Sequence, residues 1–122
     1  MDNNLAAETD SFPRKNRLLK AADFSRVFRQ PKKSADECFT ILWRKNDLDY
    51  ARLGLAISKK NVRRAVDRNR LKRLIRESFR HKISRLPSVD IVIMSRRQIA
   101  DRSNQAIFSS LNKHWEKLIR HG

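Results

Sequence analysis

A chain of 122 residues, 39% hydrophobic and 34% charged, is long enough for one buried core and too short for two. Its 29 Lys and Arg against 13 Asp and Glu leave a formal charge of +16, which points to a polyanionic partner, nucleic acid ahead of a membrane surface. Two glycines and one cysteine, Cys38, exclude a glycine-rich phosphate loop, a disulfide framework and a cysteine-based zinc site, and no run nears the roughly 18 apolar residues of a membrane span.

Residues 1–11 are polar, locally acidic through Asp2, Glu8 and Asp10, and without a period, which predicts a disordered tail ahead of one domain over 12–120. MDNNLAAETD has neither the basic start nor the apolar stretch of a secretory signal, so a cytoplasmic protein is expected. Phe24, Val27 and Phe28 at i, i+3, i+4 spacing predict a short helix over Ala21 to Arg29, ended by Pro31. The run CFTILWRKN, 38–46, reads as a strand with Phe39, Ile41 and Trp43 on one face. In ARLGLAIS, 51–58, Leu53, Leu55 and Ile57 alternate with smaller or polar residues, a second strand expected to pair antiparallel with the first as a hairpin through NDLDY.

Ser58 or Asn61 can cap the next helix, which the period carries to about Lys82. On its wheel Leu71, Leu74, Ile75 and Phe79 share one arc and the Lys and Arg residues fill the other; Val66 falls outside the apolar arc, so a late start or a bend is expected there. VDIVIM, 89–94, is almost continuously apolar, as a central strand should be. Ile107, Leu111, His114, Trp115 and Leu118 then mark a closing helix over about 103–120. The order α-β-β-α-β-α predicts an α+β fold, a two-layer α/β sandwich with a small sheet.

From Lys59 to Lys82 there are eleven Lys or Arg residues and two acids, Asp67 and Glu77. Arg68/Lys72, Lys72/Arg76 and Arg76/Arg80 are like-charge i, i+4 pairs, each costing a few tenths of a kcal/mol, and an external polyanion would offset that repulsion where an ordinary solvated face would not. Arginine's planar fork favours phosphate. Asn69 suits either a ribose or base edge or a local helix bond. A second basic group, Arg14, Lys15, Arg17 and Lys20, precedes the first helix. Phe24 and Phe28 beside it fit core packing, and they also fit stacking on unpaired nucleotides, a choice that the pattern alone leaves open. His81, His114 and His121 are scattered, with no metal-ligand spacing, and Asp36, Glu37, Asp47 and Asp49 suit turns. The residues therefore describe a nucleic-acid binder that is not a self-sufficient catalyst; a ribosomal or RNA-assembly protein is the alternative to the family reading that follows.

FPRKNRLL, DFSRVF, RLGLAISKKNVRRAVDRNRLKRLIRESFR and DIVIMSRR, ordered along residues 12–119, resemble the protein subunit family of bacterial ribonuclease P. The Arg68-Asn69-Arg70 signature after Lys59-Lys60 is the most specific part. The resemblance implies an accessory subunit that binds a catalytic RNA and the single-stranded 5′ leader of precursor tRNA, raising substrate affinity and lowering the magnesium demand. Hydrolysis and its magnesium ions would belong to the RNA, and no membrane or obligate protein partner is implied. It further implies a left-handed βαβ crossover in a mixed sheet, against the usual right-handed rule. The RNA-binding residues so implied, together with the cationic face, are Arg14, Lys15, Arg17, Lys59, Lys60, Arg63, Arg64, Arg68, Asn69, Arg70, Lys72, Arg73, Arg76 and Arg80, with Phe24 and Phe28 along the leader. The acidic tail has no counterpart in the resemblance.

Overall fold

The computed structural model describes residues 12–97 and 99–121, so the tail predicted over 1–11 lies outside the described residues. A 3₁₀ turn at Arg14–Asn16 leads into helix α1 (Ala21–Phe28), then strands β1 (Lys32–Ala35), β2 (Phe39–Lys45) and β3 (Arg52–Ala56). Helix α2 (Ala65–Lys82), strand β4 (Val89–Ser95) and helix α3 (Asn104–His121) complete the chain. The expected α+β sandwich stands, with one strand more than predicted. That strand, KKSA, escaped notice because it is a polar edge that buries only Ser34.

The strand order is β1-β2-β4-β3. Here the predicted hairpin is corrected: β2 and β3 do not pair, because β4 lies between them, antiparallel to β2 and parallel to β3. Alternation reports which face of a strand is buried and says nothing about its neighbour. The continuous apolar run of β4 takes the central position, as its composition requires.

Alternation divides the sheet into two unequal faces. Phe39, Ile41, Trp43, Leu53, Ile91 and Ile93 point toward α2 and α3, where they join Leu71, Leu74, Ile75 and Phe79 of α2 and Ile107, Leu111, Trp115 and Leu118 of α3 in one buried cluster. Phe79 stacks edge-on against Phe12 at 5.6 Å, and Trp115 Nε1 donates to Ser78 Oγ at 2.7 Å, so the two helices are also joined by a satisfied polar contact. Leu42 and Val92 face the other way, against Leu18 and Val27, with Phe24, Ala56 and Met94 packed around them. Helix α1 therefore occupies the opposite face of the sheet.

Helix α2 begins only at Ala65, later than a cap at Ser58 or Asn61 would place it. Ser58 Oγ accepts from the Asn61 N–H at 3.1 Å and Ser58 O from the Val62 N–H at 3.0 Å, so these residues close a turn ahead of the helix. Val66 is 59% exposed, in line with its place outside the apolar arc. Among the described residues no helix is long and apolar enough to cross a membrane.

Candidate nucleic-acid interface

The period of α2 puts its two chemistries back to back. Leu71, Leu74, Ile75 and Phe79 are buried, and Asn69, Arg73, Arg76 and Arg80 are exposed, as are Lys59, Lys60, Arg63 and Arg64 in the connection before it; Lys72 is half-buried. No salt bridge among the described residues involves any of these cations.

The two arginines of the signature are half-buried and already hold carbonyls of the chain. Arg68 Nη1 donates to Val62 O at 3.0 Å and Arg63 O at 2.8 Å, which folds the basic connection back on the first turn of α2. Arg70 reaches across to the segment before α3: Nε donates to Asn104 Oδ1 at 2.9 Å, Nη1 to Ala100 O at 3.3 Å and Nη2 to Arg102 O at 2.6 Å. Arg70 thus spends its whole fork internally, whereas Arg68 uses Nη1 alone. Asn61 Nδ2 adds a bond to Ser95 O at 3.0 Å.

Those staples tie the connection from β4 to α3 to the basic loop and to α2, and Arg97 and Arg102 within it are both exposed. The residue-by-residue reading missed these two cations. The only signal for Arg97 was SRR at the end of β4, and Arg102 stands in a short connection with no period to reveal it.

The N-terminal group arrives by backbone pairing. Asn16 Nδ2 donates to Ala51 O at 2.8 Å, the Leu18 N–H donates to Leu53 O at 3.0 Å, and Arg17 bridges Leu53 in parallel register, so the segment extends the β3 edge. Arg17 donates to Phe12 O from Nε and Nη2 and lies over the Phe12 ring at 5.0 Å. Burial, followed by the positive charge of Arg17, lowers the pKa of Arg76. The two basic groups, separate in sequence, therefore lie within electrostatic range of each other. Arg14 and Lys15 are exposed, with Lys15 Nζ 4.9 Å over the Tyr50 ring.

Phe24 and Phe28, left open by their spacing, divide. A Cβ at Gly54 would fall 2.6 Å from Phe24 Cζ and 2.7 Å from Cε1, so the Phe24 ring fills the space of a missing side chain and packs α1 onto β3. Phe28 is 47% exposed. Beyond α1, the same sheet face carries a row of partly exposed small or flexible residues, Thr40, Met94 and Ala56, paired across β2, β4 and β3. Arg44 Nη1 holds Arg26 O at 3.0 Å and Arg29 O at 3.1 Å, tying down the end of α1 where Gln30 sits at φ 56°. Phe28 and the Thr40–Met94–Ala56 row are thus left at least partly exposed on the α1 side of the sheet.

The family model for ribonuclease P matches residues 12–119. The ribonuclease P protein component of Legionella pneumophila strain Lens is 54% identical over 108 residues, 88% of this chain and 93% of that protein. That of Salmonella arizonae is 46% identical over 110 residues, 90% and 92%. Among solved structures, a Staphylococcus aureus RNase P protein mutant with defective mRNA degradation activity matches with a TM-score of 0.83 at 32% identity, covering 97% of this chain and 98% of that one. The RNase P protein from Thermotoga maritima gives 0.74 at 32% identity, over 83% and 96%.

Proposed function

The chain belongs to the ribonuclease P protein family, and we propose that its two exposed surfaces, the cationic face of α2 and the sheet face beside α1, hold different RNAs for that enzyme. It is an RNA-binding subunit of the tRNA-processing ribonuclease P holoenzyme and works with an RNA subunit. Lys59, Lys60, Arg63, Arg64, Lys72, Arg73, Arg76 and Arg80, joined by Arg14, Lys15 and Arg17, take the phosphates of that catalytic RNA, and Asn69 a ribose or base edge. Arg68 gives one edge of its guanidinium to RNA, while Arg70 shapes the surface from beneath. Phe28 stacks on the single-stranded 5′ leader of precursor tRNA as it runs over the sheet face beside α1, with Phe24 holding α1 in place.

The observation that carries this reading is a cationic face, with Arg17 within electrostatic range of Arg76, that pairs with no acid among the described residues. Like charges held together repel unless an anion neutralises them, and phosphates of two converging RNAs have the complementary need. A cationic subunit between them lowers their repulsion and aligns the leader, which tightens substrate binding and reduces the magnesium required. The magnesium is assigned to the RNA. The one cluster of ligand side chains among the described residues, Asp36, Glu37 and Cys38, lies on the β1–β2 turn and includes a thiol unsuited to that ion.

The test is precursor-tRNA cleavage at low magnesium with the RNA subunit, with and without the protein. Strong stimulation and no cleavage by RNA-free protein are expected; cleavage by the protein alone, or an unchanged rate, would sink the reading. Arg73→Ala should flatten the log–log salt dependence of RNA binding by about one unit, whereas Arg70→Ala should change the slope less and stability more.

A further inference from the structure

Between α2 and α3 an open cleft of about 240 Å³ is lined by Glu77, Ser78 and His81 of α2 and by Phe108 and Asn112 of α3. Each helix supplies a pair four residues apart, Glu77 with His81 and Phe108 with Asn112, so each pair shares one flank of its helix. Ser78 is buried and its Oγ accepts from Trp115 Nε1 at 2.7 Å, which fixes that part of the lining. Phe108 packs against the main buried cluster and is still half-exposed, while Glu77, His81 and Asn112 are exposed. The cleft thus carries two flat rings, an amide and a carboxylate.

Glu77 is out of place on a surface built for phosphates. Arg73 and Arg80 stand four residues before it and three after, the spacings at which a helix brings opposite charges together, yet no ion pair among the described residues involves Glu77. An unpaired acid there repels the RNA backbone, so its place calls for a donor that the ligand brings. A carboxylate accepts through both oxygens and donates nothing. Guanine alone among the RNA bases presents two adjacent donors, N1–H and N2–H, on its Watson–Crick edge. Adenine and cytosine set a ring acceptor beside their amine, and uracil flanks its one N–H with carbonyls, so each of these would press a lone pair against the carboxylate.

We propose that the α2/α3 cleft binds one unpaired guanine of the RNA subunit, an inference that rests on the reading of the α2 face as the seat of that RNA. Glu77 accepts from N1–H and N2–H, Asn112 donates to O6, and Phe108 and His81 offer the rings on which a splayed base stacks. Arg73 and Arg80 on the same helix take the flanking phosphates. The cleft is smaller than the roughly 300 Å³ at which drug-sized pockets begin, a size for one base and not for a duplex. The acid gives up some attraction for phosphate and adds a preference for sequence, which the cations alone cannot supply.

Nuclear magnetic resonance titration of the isotope-labelled, full-length protein with the four nucleoside 5′-monophosphates tests the site. Guanosine monophosphate should shift the resonances of Glu77, Phe108 and Asn112 and bind about tenfold more tightly than the other three, whereas inorganic phosphate should shift Arg73 and Arg80 alone. Glu77→Gln should erase the guanine preference, and Phe108→Leu should weaken all four nucleotides alike, because stacking is indifferent to the base. With the RNA subunit the sign decides. Glu77→Gln should weaken binding about tenfold at an unchanged log–log salt slope, whereas neutralising an acid that merely repels RNA would tighten it. Equal affinity for the four nucleotides, a guanine preference that survives Glu77→Gln, tighter RNA binding by that variant, or a loss seen only with leader-bearing precursor would overturn the proposal. Any of these, with wild-type protein still stimulating cleavage at low magnesium, would strike the guanine site and leave the subunit reading standing.

Discussion

The two faces of the sheet differ in kind. Toward α2 and α3, twenty buried hydrophobic residues form one continuous cluster; toward α1, four do. The α1 face depends instead on polar contacts. Arg52 grips Asp90 through two bonds of 2.8 and 2.7 Å, Asn46 Nδ2 donates to the same carboxylate at 2.8 Å, and Asp23 of α1 lies 3.7 Å from Arg52. A dry face provides stability that is insensitive to ligands, whereas a thinly covered one leaves room for a chain to lie down. Damage on the first side should appear in unfolding and damage on the second in RNA binding.

Phe79→Ala should have the largest effect. Removing a fully buried ring wedged between Phe12 and Trp115 should lower stability by about 3–5 kcal/mol in urea unfolding, and a loss below 1 would show that the α2/α3 face is not the main core. Next comes pH. The folded Asp36 pKa, about 2, lies below its ordinary 3.8, so its contribution is complete above 3.8 and is lost as pH falls through 2. The size is about 2 kcal/mol, and Asp36→Asn should remove that part of the acid slope. Gly54→Ala presses a Cβ into the Phe24 ring and should destabilise by roughly 1–3 kcal/mol while shifting α1, so that leader-bearing substrate weakens along with the fold. Phe28→Ala should move stability least, within about 0.5 kcal/mol, yet weaken leader-bearing precursor by roughly 1–3 kcal/mol relative to mature tRNA. Equal loss for both RNAs would place Phe28 outside the leader path.

Legibility followed range. Leu71, Leu74, Ile75 and Phe79 were readable as one buried stripe because a helix brings together residues three and four apart. The cationic face was readable for the same reason. The pairing of β2 and β3 was misread because their true neighbour, β4, lies beyond a whole helix, and β1 was unreadable because an edge strand needs no apolar period. Phe24 and Phe28 look alike in sequence, and only the absent side chain of Gly54, from a different element, made one a packing residue and left the other in solvent.

The chain's own composition and periods determined that it would be a single basic α+β domain with one helix divided between core and cations, since burial and charge act locally on each element. Tertiary structure alone decided which carbonyls Arg68 and Arg70 hold, that Arg17 comes within electrostatic range of Arg76, and that His114 faces Asp36 across the β1–β2 turn. Each depends on residues far apart in sequence being brought into contact, and such contacts are chosen by the packing of the whole chain.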